Sequence, residues 1–308
     1  MTVTSDLNGL LSDYHPGPRI YSRTPETWAD APYTRFEIEP LAPTIGAVIT
    51  GVSLADAVDT ELFDQLNRAL LEWKVIFFRG QDITGEQHAA FAAHWGGLET
   101  HPFIKIKVDQ PEDKPEVVRL EKDDKLGGFE NVWHSDVTWR EIPSLGSVLR
   151  AIEVPAIGGD TMWADMAAAY EGLNPHVQER IADLVAEHDW VQSFGMGMKP
   201  EVREALRADF PPARHPVVRT HPETGRKMLY VNRAFTQFIV DMDADESRAL
   251  LEQLWIQANF GEYQCRWKWQ VGDVAFWDNR STQHYAISDY FPNRRVMERI
   301  TVIGDKPF

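Results

Sequence analysis

The sequence predicts one mixed α/β domain with a mainly β core interrupted by helices. Three observations carry that reading. Short apolar runs of strand length recur from residue 47 to the end, four stretches hold a helical period, and no repeat or separating linker divides the chain. The 308 residues are 43% hydrophobic and 25% charged, which is enough apolar material for a sizeable core and excludes disorder as the dominant state.

Residues 1–35 carry Pro16, Pro18, Pro25 and Pro32 among polar neighbours without a sustained period, so they read as an arm on a domain spanning 36–308. Ala47–Val52 reads as a strand. Glu61–Lys74 reads as a helix, with Phe63, Leu66, Leu70 and Trp73 recurring every three or four residues. Lys74–Arg79 is a short buried strand, and Thr84 with Gln87 forms a capping box for a helix running to His94. Beyond Gly96, strand-like pieces follow at Val117–Leu120, Val132–Trp139, Gly146–Ile152 and Thr161–Ala164. Asn174-Pro175 opens a helix expected to reach about His188, and another spans about Asp245–Asn259. Gln264–Trp269, Asp273–Trp277 and Arg294–Ile303 close the chain as strands.

Thirty-one basic against 47 acidic residues give a net charge of −16, which argues against nucleic-acid or anionic-membrane partners. A small anionic substrate stays open, because one or two placed arginines suffice to hold it. No apolar run approaches the ~18 residues of a membrane span. The first 35 residues lack a basic start followed by an apolar stretch, and Cys265 is the only cysteine, so a cytoplasmic protein without an intramolecular disulfide is expected.

The sharpest local feature is Trp133-His134-Ser135-Asp136. On a strand, positions i and i+2 face one side, so His134 and Asp136 can address one ion. An imidazole and a carboxylate, completed by a distant histidine, make the facial triad of non-haem Fe(II) oxygenases. The pair alone is weak, since ten histidines produce a His-x-Asp or His-x-Glu match by chance about once or twice; His221-Pro222-Glu223 is such a match and reads as a turn. The far end strengthens it: His284 sits just beyond a strand, and Arg295 follows eleven residues later. Arg295, Met297 and Arg299 share one strand face, which puts the two arginines about 13 Å apart. Two inward arginines call for anionic company, although surface salt bridging explains either one alone.

His-x-Asp, a threonine twenty-seven residues after the histidine, a distal histidine and an arginine eleven beyond it resemble the TauD/TfdA family of Fe(II)/2-oxoglutarate dioxygenases. WHSDVTW, GGDTMWADMAAAYEGL, AEHDWVQSF, HPVVRTHPETG, WDNRSTQHYA and IGDKPF match as well, so the resemblance covers about Phe36 to Phe308. Within the family the pattern is most similar to taurine dioxygenases. The resemblance implies a double-stranded β-helix, or jelly roll, with flanking helices. It implies Fe(II), 2-oxoglutarate and O2 as cofactor and cosubstrates, with His134, Asp136 and His284 as iron ligands and Arg295 and Thr161 on the C5 carboxylate of 2-oxoglutarate. His101 and Arg299 would hold a sulfonate, Val137, Trp139, Phe194 and Phe235 would wall the site, and Ser193 would lie near an amine end. The implied reaction hydroxylates the carbon next to sulfur in taurine or a related sulfonate, and gives sulfite, an aldehyde, succinate and CO2. A homo-oligomer is also implied.

Departures from the taurine pattern bear on the tail of the substrate. Ile104 stands where those enzymes carry tyrosine, Glu130 with Asn131 stands where an asparagine contacts the amine, and Trp139 replaces a phenylalanine. Glu130 would suit an ammonium, whereas Ile104 would suit an apolar tail. Sibling substrates are therefore alkyl sulfate esters or an aryloxyacetate-type carboxylate. A zinc hydrolase with the same ligands leaves Arg295 without purpose, and a non-catalytic jelly-roll binding module is the reading that a His134→Ala variant with full function would favour. The segment Thr100–Asp124, rich in Lys, Asp and Pro, has the composition of a lid.

Overall fold

The computed structural model describes residues 21–28, 31–100, 117–125, 127–128 and 130–308. Its major sheet contains β1 (Glu37–Pro40), β2 (Ala47–Thr50), β3 (Val75–Phe78), β4 (Val118–Lys122), β5 (Ser144–Glu153), β13 (Val274–Asp278) and β15 (Arg295–Ile303). They lie in the order β1-β2-β3-β13-β5-β15-β4. A smaller sheet has the order β12-β6-β14, from β6 (Thr161–Asp165), β12 (Gln264–Trp267) and β14 (Thr282–Ala286). A third, β11-β7-β8, contains β7 (Val185–His188), β8 (Ala213–Pro216) and β11 (Thr236–Ile239), and β9 (Val218–Thr220) pairs with β10 (Lys227–Leu229).

Strand β3 shows why the sequence stacks this way. All four of its residues are buried, and they alternate between two cores. Val75 and Phe77 join Trp163, Trp267, Trp269, Trp277 and Met297 between the major and smaller sheets. Ile76 and Phe78 join the layer under helices α1 (Thr60–Trp73) and α2 (Gly85–Ala93). Burial on both faces requires an unbroken apolar run, which VIFF supplies. Each such Val, Ile or Phe contributes about 1.5–3 kcal/mol by leaving water. These two layers, antiparallel except for β2 with β3 among the named pairings, make a jelly roll with flanking helices.

Local chemistry sets the helix ends. Asp59 accepts from the Leu62 amide at 2.9 Å, and Thr84 and Gln87 exchange the two bonds of a capping box. Helix α1 ends on Lys74 at φ 64, a position that usually falls to glycine. Lysine holds it because its buried ammonium donates to the Thr44 carbonyl at 2.8 Å and lies 3.3 Å from Asp165, which caps α3 (Met166–Glu171).

Several expectations change. The helix expected from Asn174 to His188 is α4 (Pro175–Ile181) alone; Val185–His188 leaves it to become β7, where Val185–His188 pair with Ala213–Pro216. Val132–Trp139 is not a strand. A single bridge joins His134 to His284, and the chain then turns through 136–139. His284 follows β13, as expected, and itself lies within β14. In the segment offered as a lid, 118–122 is the edge strand β4, and 101–116 lies outside the described residues together with His101 and Ile104. Of the arm, Tyr21 meets the Tyr263 hydroxyl at 3.0 Å and Arg23 pairs with Glu72 at 2.6 Å. No helix among the described residues is long and apolar enough to cross a membrane.

Candidate active site

The bridge that replaces the expected strand brings two imidazoles together. The His134 amide donates to the His284 carbonyl at 3.1 Å, the His284 amide donates back at 2.8 Å, and the ring centroids lie 4.1 Å apart. Asp136 enters from the turn. Its amide donates to Asn279 Oδ1 at 2.7 Å, and Asn279 Nδ2 donates to its carbonyl at 3.0 Å. Asp136 Oδ1 then lies 3.9 Å from His134 Nε2 and 4.0 Å from His284 Nε2.

The tautomers suit a cation. His134 Nδ1 lies 2.8 Å from the Val132 carbonyl and must carry the proton there, which leaves the Nε2 lone pair facing Asp136 and His284. Burial, with His134 alongside, lowers the His284 pKa to about 3, so its ring is neutral. His284 Nδ1 is buried without a hydrogen-bond partner among the described residues. One carboxylate oxygen and two imidazole nitrogens within 4.8 Å of one another are the donor set of a non-haem iron site, and they fit Fe(II). Arg299 Nη1 donates to both Asp136 oxygens, at 3.0 and 3.2 Å, and Ser147 donates to Oδ2 at 3.3 Å.

A second group lies on the same interior. Thr161 and Trp163 alternate on β6, and Trp163 is the cross-strand partner of His284, so Thr161 and His284 face one side. Trp269 Nε1 donates to Thr161 Oγ1 at 3.0 Å, which leaves the threonine proton available to an anion. Arg295 shares its strand face with Met297, is 8% exposed, and donates from Nε to the Gly159 carbonyl at 3.2 Å. Gly159 has φ 72, and a Cβ there would stand 3.2 Å from Arg295 Cδ. Burial draws the Arg295 pKa downward against the pull of Tyr290, Glu130 and Asp160. The guanidinium stays a cation inside the protein.

A third group is apolar. Val137, Trp139, Trp190, Ala234 and Phe235 cluster with Phe194 and Phe210 packed against them. Phe235 stands edge-on 6.3 Å from the His134 ring, and Phe194 stacks on it at 6.0 Å. Trp139 is 1% exposed and packs on Phe210, so it backs this wall.

The three residues expected at an amine end have partners or surroundings of their own. Glu130 pairs with Lys122 at 2.7 Å and stands in the field of Arg295. Ser193 donates its hydroxyl to the Ala234 carbonyl at 2.6 Å. Asn131 is exposed. Sequence reasoning missed Asn279, Ser147, Trp269 and the Glu99–Arg140 pair, whose atoms approach to 2.7 Å. Only Asn279 left a signal, as part of the Asp278-Asn279-Arg280 run before His284.

The sequence model of the "Taurine catabolism dioxygenase TauD, TfdA family" matches residues 37–301. The chain belongs to this family. It is 36% identical over 287 residues to an "Alkylsulfatase" of Acinetobacter baylyi, covering 91% of this chain and 88% of the relative. It is 35% identical over 289 residues to an "Alpha-ketoglutarate-dependent sulfate ester dioxygenase" of Pseudomonas putida, covering 91% and 93%. Among solved structures, a "Putative Alpha-ketoglutarate-dependent Taurine Dioxygenase" from Burkholderia xenovorans superposes with a TM-score of 0.77 at 37% identity, covering 88% of this chain and 94% of that one. The TauD/TfdA chain described here is thus a 2-oxoglutarate-dependent dioxygenase, working with Fe(II), 2-oxoglutarate and O2 on a small molecule.

Proposed function

We propose that this dioxygenase acts on a sulfur oxyanion carrying an apolar tail, an alkyl sulfate ester or an alkylsulfonate, with taurine a poor substrate. One observation carries the reading. The His-Asp-His group carries a cation, Arg299, on its Asp136 carboxylate and the Phe235–Phe194 wall beside its His134 ring, while the acid suited to an ammonium, Glu130, is held by Lys122. The names of the Acinetobacter and Pseudomonas relatives support the sulfate ester, and that of the Burkholderia structure supports a sulfonate.

In this reading His134, Asp136 and His284 hold Fe(II). Arg295 and Thr161 take the C5 carboxylate of 2-oxoglutarate, the arginine as a planar two-nitrogen donor and the threonine through the proton that Trp269 leaves free. Arg299 takes the sulfur oxyanion, and Val137, Phe194 and Phe235 exclude water around the tail. The bound metal with its cosubstrates supplies the oxidising power to hydroxylate the carbon next to oxygen or sulfur. One oxygen atom of O2 enters that carbon and the other enters succinate as CO2 leaves. The hydroxylated carbon keeps its oxygen as an aldehyde and expels sulfate or sulfite, with loss of the hydroxyl proton.

The test is a coupled assay with Fe(II), 2-oxoglutarate, ascorbate and O2 across taurine, longer alkylsulfonates, alkyl sulfates and aryloxyacetates. Sulfate or sulfite matching succinate only from apolar-tailed compounds supports the reading. Full coupling with taurine would replace it by taurine oxidation, and phenol release by the aryloxyacetate alternative.

A further inference from the structure

Val137, the residue after Asp136, has φ 48 and is 3% exposed. The left-handed region costs an L-residue roughly 1–2 kcal/mol, and a β-branched side chain is an outlier there. Such a conformation persists only where the surroundings over-determine it.

Three buried side chains from outside the jelly roll meet this turn. Asn232, which follows β10, donates from Nδ2 to Thr138 Oγ1 at 3.0 Å. His188, the last residue of β7, has Nδ1 3.0 Å from the same oxygen. His215 on β8 has Nε2 2.8 Å from the Thr138 carbonyl and 2.9 Å from the Arg140 carbonyl. Two carbonyl acceptors require a proton on that nitrogen. Each of the three residues is at most 1% exposed, and burial keeps both imidazoles neutral. The Arg140 amide donates to the Val137 carbonyl at 3.0 Å and closes the turn. Thus residues 138–140 are fixed from one side, while Asn279 fixes Asp136 from the other.

We propose that His188, His215 and Asn232 form a positioning bracket that imposes the left-handed conformation on Val137 and so sets the Asp136 carboxylate against His134 and His284. Towards this turn the three act as positioning residues, through the Thr138 hydroxyl and the Thr138 and Arg140 main-chain carbonyls. They also explain what the β11-β7-β8 sheet supplies to a site built on other sheets. Asn232 extends the same bracket to the wall, since its Oδ1 accepts from the Phe235 amide at 3.0 Å. The proposal rests on reading His134, Asp136 and His284 as the metal site.

The experiment is Mn(II) titration of the full chain without cosubstrates, with thermal melting in parallel. Wild type should bind one ion, and His134→Ala should lose it. Thr138→Val removes the bracketed hydroxyl at constant shape and should weaken binding about 10- to 100-fold, the usual effect of losing support behind a metal ligand. Thr138→Ser keeps the hydroxyl and should bind nearly as wild type. Val137→Gly added to Thr138→Val should recover part of the loss, because glycine adopts positive φ without enforcement. A merely structural role would lower the melting temperature without this glycine rescue. His215→Asn carries the same comparison where Thr138→Val does not fold. Folded Thr138→Val or His215→Asn binding Mn(II) as tightly as wild type would overturn the bracket, as would a defect that Val137→Gly leaves untouched. Wild type that binds no ion, or His134→Ala that binds normally, would instead overturn the metal reading beneath it.

Discussion

Arg299 and Asp136 share a two-oxygen contact, with one guanidinium nitrogen 3.0 and 3.2 Å from the carboxylate oxygens. The contact joins the group proposed to hold the substrate anion to a group proposed to hold the metal. A cation bound by Asp136 and the two histidines would draw on the same carboxylate charge, freeing the guanidinium for an incoming oxyanion. The arginine therefore belongs to both halves of the site.

Arg299→Gln should raise the apparent KM for an alkyl sulfate by roughly 10- to 150-fold. Hydrogen bonds to a charged partner contribute about 1.5–3 kcal/mol, and each 1.4 kcal/mol is tenfold. The KM for 2-oxoglutarate should change little. Steady-state kinetics with each cosubstrate varied in turn separate the two; an equal rise in both would place Arg299 elsewhere in the scheme.

Trp269→Phe tests the other end. It keeps the ring but removes the donor to Thr161, so the hydroxyl loses its imposed orientation. We expect the KM for 2-oxoglutarate to rise about fivefold, as for one neutral hydrogen bond of about 1 kcal/mol. Arg295→Gln should cost considerably more. An unchanged 2-oxoglutarate KM in Trp269→Phe would mean that Thr161 does not meet the cosubstrate.

Much of this architecture was legible in the sequence where a local rule decides it. The 3.6-residue period of Leu66, Leu70 and Trp73 and the Thr84–Gln87 pair specify α1 and the start of α2 without tertiary help. His134 and Asp136 do converge, yet by a bridge and a left-handed turn and not by strand alternation. The turn was illegible because Val137 violates its own backbone preference, next to a Thr138 held by residues 50 to 94 positions away from it. Residues 185–188 misled for a related reason: Val177, Ile181, Leu184 and Val185 continue a helical period, but pairing with β8 decides the outcome. Glu130 was placed at an amine by its distance from His134, whereas the β4 residue Lys122 decides where its charge goes.

Stability should fall in mild acid through buried histidines. His88 and His215 titrate at about 4 in the folded chain, because burial disfavours their charged forms, against 6.5 when unfolded. Between those values the unfolded chain takes up protons that the folded chain refuses, so stability is lost as pH drops from about 6.5 towards 4. Above that window both forms are neutral and the effect vanishes. Thermal melts across it should show a falling midpoint, with a shallower slope in His88→Asn. An unaltered slope would assign the acid sensitivity to other groups.

Lys74→Met should destabilise the fold by about 3–5 kcal/mol, since it leaves the Asp165 carboxylate buried without its cation and puts a methionine at positive φ. Urea denaturation should show a lower midpoint at an unchanged slope. Lys74→Met combined with Asp165→Asn should recover part of the loss; failure to do so would show that the ion pair is not the source of the effect.

The central claim, an iron-dependent oxygenase for apolar-tailed sulfur oxyanions, is tested most directly by stoichiometry. Iron-loaded enzyme with 2-oxoglutarate, O2 and a medium-chain alkyl sulfate should release sulfate and succinate in equal amounts, with His134→Ala releasing neither. The matching alkylsulfonate should release sulfite, and taurine should give succinate poorly coupled to sulfite. No succinate from iron-loaded wild type with any sulfur oxyanion would contradict the account.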